Sequence, residues 1–231
     1  MAMVTRLLVV ASILSAVACA PAIDHAMKVE IDQKMAQITA NPRSFPPGRA
    51  PEPMPFRPGQ WIQHKLVDEK GTPSLMTYKI VGEEGGGHWV EVTSESYTGR
   101  QTTKMLVDFG DRRDLNHIKL LAVKQRDSLG RVADYSDAMV PSVKLVVDSL
   151  LSPMVGTLRG LPQEDAQVPA GRFNKCYKGK SLASARSRVQ SIIGWWHPAV
   201  PINGMIKAVG IHDPTTIELV AFGETGAISE F

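Results

Sequence analysis

Between Trp61 and Phe109 apolar and polar residues alternate with a period of two, and glycine-bearing turns interrupt the alternation at short intervals. That period sends successive side chains to opposite faces of a strand, so the segment predicts hairpins rather than helices. Trp61 to Val67 leads through Glu69, Lys70 and Gly71 into Leu75 to Val81, where Met76, Tyr78 and Ile80 share a face. A glycine-rich stretch, with Gly82, Gly85, Gly86 and Gly87 expected to supply positive φ at a hairpin, then leads into Trp89 to Thr93. Tyr97 to Arg100 turns the chain into Thr103 to Phe109. Such alternation describes an antiparallel meander with one wet face and one covered face.

The pattern loosens beyond this point. His117 to Arg126 suits a strand, with Asp127 to Gly130 as its turn, although Ile118, Leu121 and Lys124 also fit helical spacing. Ser142 to Leu151 is the best helix of the domain, closed by Pro153, and a covered sheet face is the surface it would pack on. The C-terminal third returns to strands at Val168 to Tyr177, Arg188 to Trp196, Gly204 to Val209 and Thr215 to Gly223. The fold class expected is mainly β (α+β), about eight to ten strands with one or two helices, consistent with a partly closed sheet wrapped on a helix.

The N-terminus carries an address. Leu7 to Ala18 is uncharged and apolar, preceded by Arg6 and followed by small residues, well short of the about 20 residues that a membrane-crossing helix needs. The layout is that of a signal peptide over residues 1–18. Ala16, Val17, Ala18 and Cys19 resemble the bacterial lipobox, with Ala16 where leucine is usual, so Cys19 is the expected lipid attachment site. Ordinary cleavage after Ala18 or Ala20 competes, and would leave a secreted or periplasmic protein. A thioether at Cys19 would forbid a bridge to Cys176, the other cysteine. Gram-negative lipoproteins held in the inner membrane commonly have Asp after the cysteine. Ala20 stands there, which points to the outer membrane and a periplasm-facing domain.

Residues 19–57 are dense in proline and read as an extended tether. Within it, Ile23, Met27, Ile31, Met35 and Ile38 recur at helical spacing behind Asp24, a capping residue, and predict a short helix over about 24–38. The helix either lies against the domain or docks a partner. Residues 58–231 form the expected β domain.

Two stretches carry a family resemblance: Val168-Pro169-Ala170-Gly171-Arg172-Phe173-Asn174-Lys175-Cys176-Tyr177, and Gly194-Trp195-Trp196-His197-Pro198-Ala199-Val200-Pro201-Ile202-Asn203-Gly204-Met205-Ile206-Lys207. Together with a closing strand at Glu218 to Gly223, they resemble uncharacterised bacterial envelope proteins whose fold is similar to the LolA/LolB lipoprotein-carrier superfamily. The resemblance sharpens the expected fold to an unclosed antiparallel half-barrel, covered by one or two helices, with an apolar concave side, and it implies no transferable catalytic residue. Joined to the one-faced strands and the covering helix, it gives an expected ligand cavity lined by Met76, Tyr78, Ile80, Met105, Val107, Val146, Leu150 and Trp195.

Reaction chemistry finds little support in the sequence. The six histidines are scattered, no metal-ligand spacing occurs, and neither a nucleophile elbow nor a phosphate loop is present. No catalytic residue, metal or cofactor is expected. His197 reads as a structural residue at a strand end, Asp108-Phe109-Gly110 as a strand end and turn, and Cys176 as a buried thiol. The balance of 26 basic against 23 acidic residues names no polyanionic partner, and the compartment disfavours nucleic acid. Locally, Asp and Glu are missing from Ala166 to His212, while Arg172, Lys175, Lys178, Lys180, Arg186 and Arg188 are present. These residues read either as a solvated loop over Gly179 to Ser187 or as a basic lip facing lipid headgroups. The expectation is a non-enzymatic envelope lipoprotein, tied to the membrane by its lipid, that binds an acyl chain, lipid or lipoprotein segment. The alternative is a structural lipoprotein that docks on an envelope protein complex.

Overall fold

The computed structural model describes residues 22–48, 55–110, 118–135, 158, 160–185 and 188–231, with the backbone alone for 182–185 and 188–190. In chain order these form α1 (His25–Gln37), β1 (Ser44–Phe45), β2 (Trp61–Val67), β3 (Pro73–Glu84), β4 (Gly87–Ser96), β5 (Gly99–Asp108), β6 (Lys119–Arg126) and β7 (Val132–Tyr135). β8 (Gln163–Val168), β9 (Gly171–Ala185), β10 (Arg188–Trp196), β11 (Met205–Gly210) and β12 (Thr216–Gly223) follow. All twelve strands belong to one unclosed sheet of order β1-β9-β10-β11-β12-β2-β3-β4-β5-β6-β7, with β8 paired to β9. The protein is therefore mainly β with one helix among the described residues. The strand count exceeds the eight to ten expected, because β1, β7 and β8 are short or polar edge elements without a clear alternating signature.

The meander follows the period-two pattern. Ile62 lies opposite Tyr78 across β2 and β3, and Tyr78 opposite Val92 across β3 and β4, so one face is apolar throughout. The β3–β4 hairpin closes with Glu84 opposite Gly87 around Gly85 (φ 57°) and Gly86 (φ 82°), a turn with both central residues left-handed that matches strand twist. Gly82 and Gly87 do not share that conformation: both are paired residues of the two strands. His117 to Arg126 resolves as a strand over Lys119–Arg126. Its turn is held by the Asp127 carboxylate, which accepts from the Leu129 and Arg131 amides at 2.9 Å each.

The C-terminal third departs from expectation in two places. Val168 to Tyr177 is not one strand, because Pro169 and Ala170 turn the chain between β8 and β9. Gly179 to Ala185 is strand rather than loop, paired residue for residue with β10 from Gly194 to Arg188. Cross-strand pairing there outweighs the weak strand propensity of the Gly/Ser/Ala-rich sequence. The segment expected as a tether is also largely part of the domain. α1 packs on β3 and β4, and β1 pairs in parallel with β9. Phe45 stacks on Phe173 with ring centroids 4.4 Å apart, and the pair is joined by Phe222. Gly171 (φ 139°) lets β1 approach, since a Cβ there would sit 2.7 Å from the Arg43 carbonyl oxygen. The helix expected over Ser142 to Leu151 lies outside the described residues, as does Cys19.

Burial fixes the energetics. Phe173 has no exposure and joins Ile62, Ile80, Met105, Val107, Ile206 and Leu219 in one apolar cluster, whereas Leu129, on the β6–β7 turn, is 75% exposed. Phe173→Ala is expected to lower unfolding free energy in urea titrations by about 3–5 kcal/mol. Leu129→Ala should change it by less than about 0.5 kcal/mol.

Candidate functional site

The apolar face of the sheet is filled in part by a loop. Residues 197–204 connect β10 to β11, and Val200, Pro201, Ile202, Asn203 and Gly204 are all buried. A buried loop must satisfy its own backbone groups. Here Pro198 and Pro201 carry no amide hydrogen, and several of the remaining amides bond within the loop. The His197 amide donates to the Gly204 carbonyl at 2.8 Å, Val200 to His197 at 3.2 Å, and Gly204 to Pro201 at 3.3 Å. The Met205 amide donates to the Asn203 side-chain oxygen at 3.0 Å. Ile202 has φ 65°, a strained value for a β-branched residue, held by a side chain with no exposure.

Two histidines brace this interior. His197 Nδ1 accepts from the Ala199 amide at 3.1 Å, so Nε2 carries the proton and donates to the Pro46 carbonyl at 3.1 Å. Its ring meets Phe173 edge-on, and desolvation lowers its pKa. His64, 1% exposed, donates from Nε2 to the Met205 carbonyl at 3.0 Å, and burial lowers its pKa to about 4. His64 Nδ1 and Asn203 Nδ2 have no hydrogen-bond partner among the described residues. Both imidazoles are thus neutral structural groups.

The residues expected to line a cavity, where the structure describes them, gather at one apolar cluster. Tyr78, Ile80, Met105 and Val107 are buried within the main cluster, and burial holds the Tyr78 phenol above its ordinary range. Met76 is half-buried and touches both apolar clusters. Trp195 is half-buried and packs against that main cluster, with its ring between the ammonium groups of Lys178 at 4.9 Å and Lys207 at 5.9 Å. Val146 and Leu150 lie outside the described residues.

Acids from β8 answer the basic stretch. Lys178 pairs with Glu164 at 2.7 Å and Arg172 with Asp165 at 3.1 Å, while the Lys175 amide donates to Asp165 at 3.0 Å. Glu164 and Asp165 lie just ahead of the acid-free run in sequence, and the β8–β9 hairpin folds them back beside it. Lys180 is exposed; Arg186 and the Arg188 side chain lie outside the described residues. Cys176 has no exposure, its thiol donates to the Phe173 carbonyl at 3.4 Å, and burial pushes its pKa up to about 12, which makes it unreactive.

Among the described residues, a recess with room for a binding partner lies on the opposite, outer face. It is a groove of about 360 Å³ bounded by Lys34, Gln37, Ile38 and Thr39 at the end of α1, and by Gln63, Leu75 and Val220 of the sheet. Asp24 builds this wall by capping α1, accepting from the Ala26 and Met27 amides at 2.9 and 3.2 Å. Ile31, fully buried, seats the helix on the sheet. Lys34 reaches Glu30 at 2.7 Å and Glu95 at 2.8 Å; these carboxylates outweigh desolvation, so its pKa lies above the ordinary lysine value. Val220 stands unpaired where β12 shifts register between Leu219 and Ala221, which opens the far side of the groove.

The C-terminal segment latches the rest of this face. Glu91, with no exposure, accepts from the Ser229 hydroxyl at 2.9 Å and, through both oxygens, from the Glu230 amide at 3.1 Å. Lys79 lies 3.4 Å from Glu91 and 2.7 Å from Glu230, and Arg100 pairs with Glu230 at 2.7 Å. Phe231 packs under the cations of Lys104 and Arg126. Sequence reasoning missed this latch, and the signal available was the pair of acids Glu91 and Glu95, four residues apart on one face of β4.

No protein-family model matches the chain, and no curated protein matches it. Two solved structures resemble it weakly. A candidate lipoprotein from Parabacteroides distasonis shares 14% identity, with 74% of this chain and 97% of that chain covered at a TM-score of 0.32. A candidate exported protein with a YmcC-like fold from Bacteroides fragilis shares 12% identity, covering 74% and 98% at a TM-score of 0.32. Neither is described as a LolA/LolB relative, and neither likeness carries weight below. Among the described residues no helix is long and apolar enough to cross a membrane, and no cluster of His, Cys, Asp and Glu could hold a metal.

Two measurements test these assignments. The folded-state pKa of His64 lies below its unfolded value of 6.5, so its stability contribution is complete above pH 6.5 and declines as pH falls toward 4. The loss expected across that window is about 3 kcal/mol, and denaturant titrations of His64→Leu should show a correspondingly flatter pH profile. Deleting residues 229–231 leaves the Glu91 carboxylate short of donors. It should cost about 3 kcal/mol, part of which Glu91→Leu in the shortened chain restores.

Proposed function

We propose that this protein is a non-enzymatic envelope lipoprotein, acylated at Cys19, whose β domain docks another envelope component instead of carrying a hydrophobic ligand in its interior. The observation that carries this reading is the filled interior. Val200, Ile202 and Ile206 of the β10–β11 region have no exposure and share one cluster with Tyr78, Ile80, Met105 and Val107, the positions a carrier would leave open. Among the described residues, a concave feature open to a partner is the outer groove. Its apolar floor of Ile38, Leu75 and Val220, with Gln37, Thr39 and Gln63 around it, suits an aliphatic side chain flanked by backbone groups of a protein segment. The neutral amide and hydroxyl groups favour hydrogen bonding over charge pairing, and Lys34 is already engaged by two carboxylates. Secretion, the outer-membrane address and the absence of catalysis belong to the same proposal and rest on the N-terminal sequence and the scattered titratable groups.

Native mass spectrometry of gently extracted protein should find the domain without a bound lipid or fatty acid. In-cell crosslinking should recover a stoichiometric protein partner, and Val220→Lys, which places a charge in the groove, should reduce that recovery at least tenfold while leaving the thermal midpoint within a few degrees. A co-purifying acyl ligand would restore the carrier reading. Unchanged crosslinking in Val220→Lys would remove the groove from consideration.

A further inference from the structure

Among the described residues, four hairpin turns lie on one rim of the sheet: 68–72 between β2 and β3, 97–98 between β4 and β5, 127–131 between β6 and β7, and 211–215 between β11 and β12; the β9–β10 hairpin extends past the end of β11 on the same side. The opposite rim carries the β3–β4 turn and loop 197–204. The N-terminal end of the described chain is fixed to the first of these rims. The Asp24 amide donates to the Tyr97 carbonyl at 2.8 Å, and the Tyr97 hydroxyl donates to Asp32 at 2.5 Å, while Lys28 lies 4.8 Å over the Tyr97 ring. Residue 24 is five residues from Cys19, a span of at most about 18 Å when fully extended. An acyl group on Cys19 would therefore hold this rim close to the lipid surface. The long proline-rich stretch cannot lengthen the leash, because it lies after α1 rather than before it.

The side chains at the rim fit such a surface. Of the large apolar residues exposed in the described chain, Ile23 (56%), Leu129 (75%), Val132 (50%) and Ile211 (37%) sit at this rim, while Val29, Leu121 and Ile228 are exposed on α1, β6 and the C-terminal segment. The described residues of the opposite rim's turns expose none. Acids on the rim are largely turned inward to their own turns: Asp68 accepts from the Lys70 and Thr72 amides, Asp127 from Leu129 and Arg131, and Asp213 from Thr215. Charge on these turns is mixed, so contact would depend on the anchor and the apolar tips rather than on anionic headgroups.

We infer that the rim formed by these four turns is a membrane-facing surface, with Leu129 and Ile211 seated at the headgroup level of the bilayer that holds the lipid anchor. This rests on acylation of Cys19. The test uses the full chain, processed in cells and reconstituted in phosphatidylcholine vesicles, with single cysteines introduced as Leu129→Cys, Ile211→Cys and, on the opposite rim, Glu83→Cys. An environment-sensitive fluorophore will report these sites alone, because Cys19 is then blocked and Cys176 is buried. Expected are a blue-shifted emission and several-fold protection from an aqueous quencher at 129 and 211, little changed between 0.1 and 0.5 M salt, with full quenching at 83. Inserting a ten-residue Gly/Ser spacer between Cys19 and Asp24 should release 129 and 211 to the quencher. Intact-mass analysis separates the two ways of failing. An acylated N-terminus with 129 and 211 as open to the quencher as 83 overturns the orientation alone, and an unacylated Cys19 overturns the anchor reading and the orientation with it.

Discussion

A carboxylate shut off from water must be given donors, and Glu91 imposes that requirement at the centre of the sheet. The two-residue period of β4 sends Val90 and Val92 into the apolar interior and Glu91, Thr93 and Glu95 to the other face, where each is nearly or fully buried. An uncompensated buried charge would be strongly destabilising. The outer face is therefore covered by segments that bring hydrogen-bond donors: the C-terminal residues supply the Glu230 amide and Ser229 hydroxyl to Glu91, and α1 supplies Lys34 to Glu95. Both distal parts of the chain are thus drawn to one side of the sheet. The groove exists because these two coverings leave β2, β3 and β12 partly open at the end of α1.

The other face answers a different constraint. A curved sheet leaves apolar side chains that need cover, and the β10–β11 loop supplies much of it. Ordinary loops stay at the surface because their backbone needs water. This one tolerates burial through its two prolines, the closing His197–Gly204 hydrogen bond and a histidine whose two ring nitrogens are both used. His197 could be taken for a catalyst from sequence alone. Its geometry shows a brace tying the loop to the β1 segment through Pro46, while Phe45 and Phe173 stack alongside.

Legibility in the sequence followed the physical scale of each signal. The meander from Trp61 to Asp108 was readable because burial on one face imprints a period of two, and α1 because Met27, Ile31 and Met35 recur at four-residue spacing behind a capping aspartate. β8 was not, since an edge strand reading Gln-Glu-Asp-Ala-Gln-Val buries only Ala166 and Val168. The far half of β9 escaped because its conformation is dictated by pairing with β10, which composition does not record. The same non-locality misled the reading of charge: the basic run looked unopposed along the chain, yet a hairpin sets Glu164 and Asp165 across from it. Of the candidate site, the buried apolar positions were visible as a stripe. The groove was not, because it is formed by elements far apart in sequence and by a register shift at Val220.

These constraints connect the anchor to the groove. α1 begins at the rim, where Asp24 is bonded to Tyr97, and ends at the groove wall, and its 13 residues span about 20 Å at helical rise. Under the acylation reading, the short spacer before Asp24 fixes one end of that distance at the membrane and the helix sets the other. A partner entering the groove would meet the domain from the side, at a height set by the tilt of the helix, rather than from beneath. On that reading the helix is more than cover for Glu95: its cap, its seat on Ile31 and its ion pair with β4 would make it a rigid spacer between lipid and docking surface. A flexible tether in its place would let the groove wander by tens of ångströms and dilute its encounters. Placing the prolines after the helix, where Phe45 and Pro46 are clamped against β9 and His197, keeps that spacer tied to the sheet at both ends.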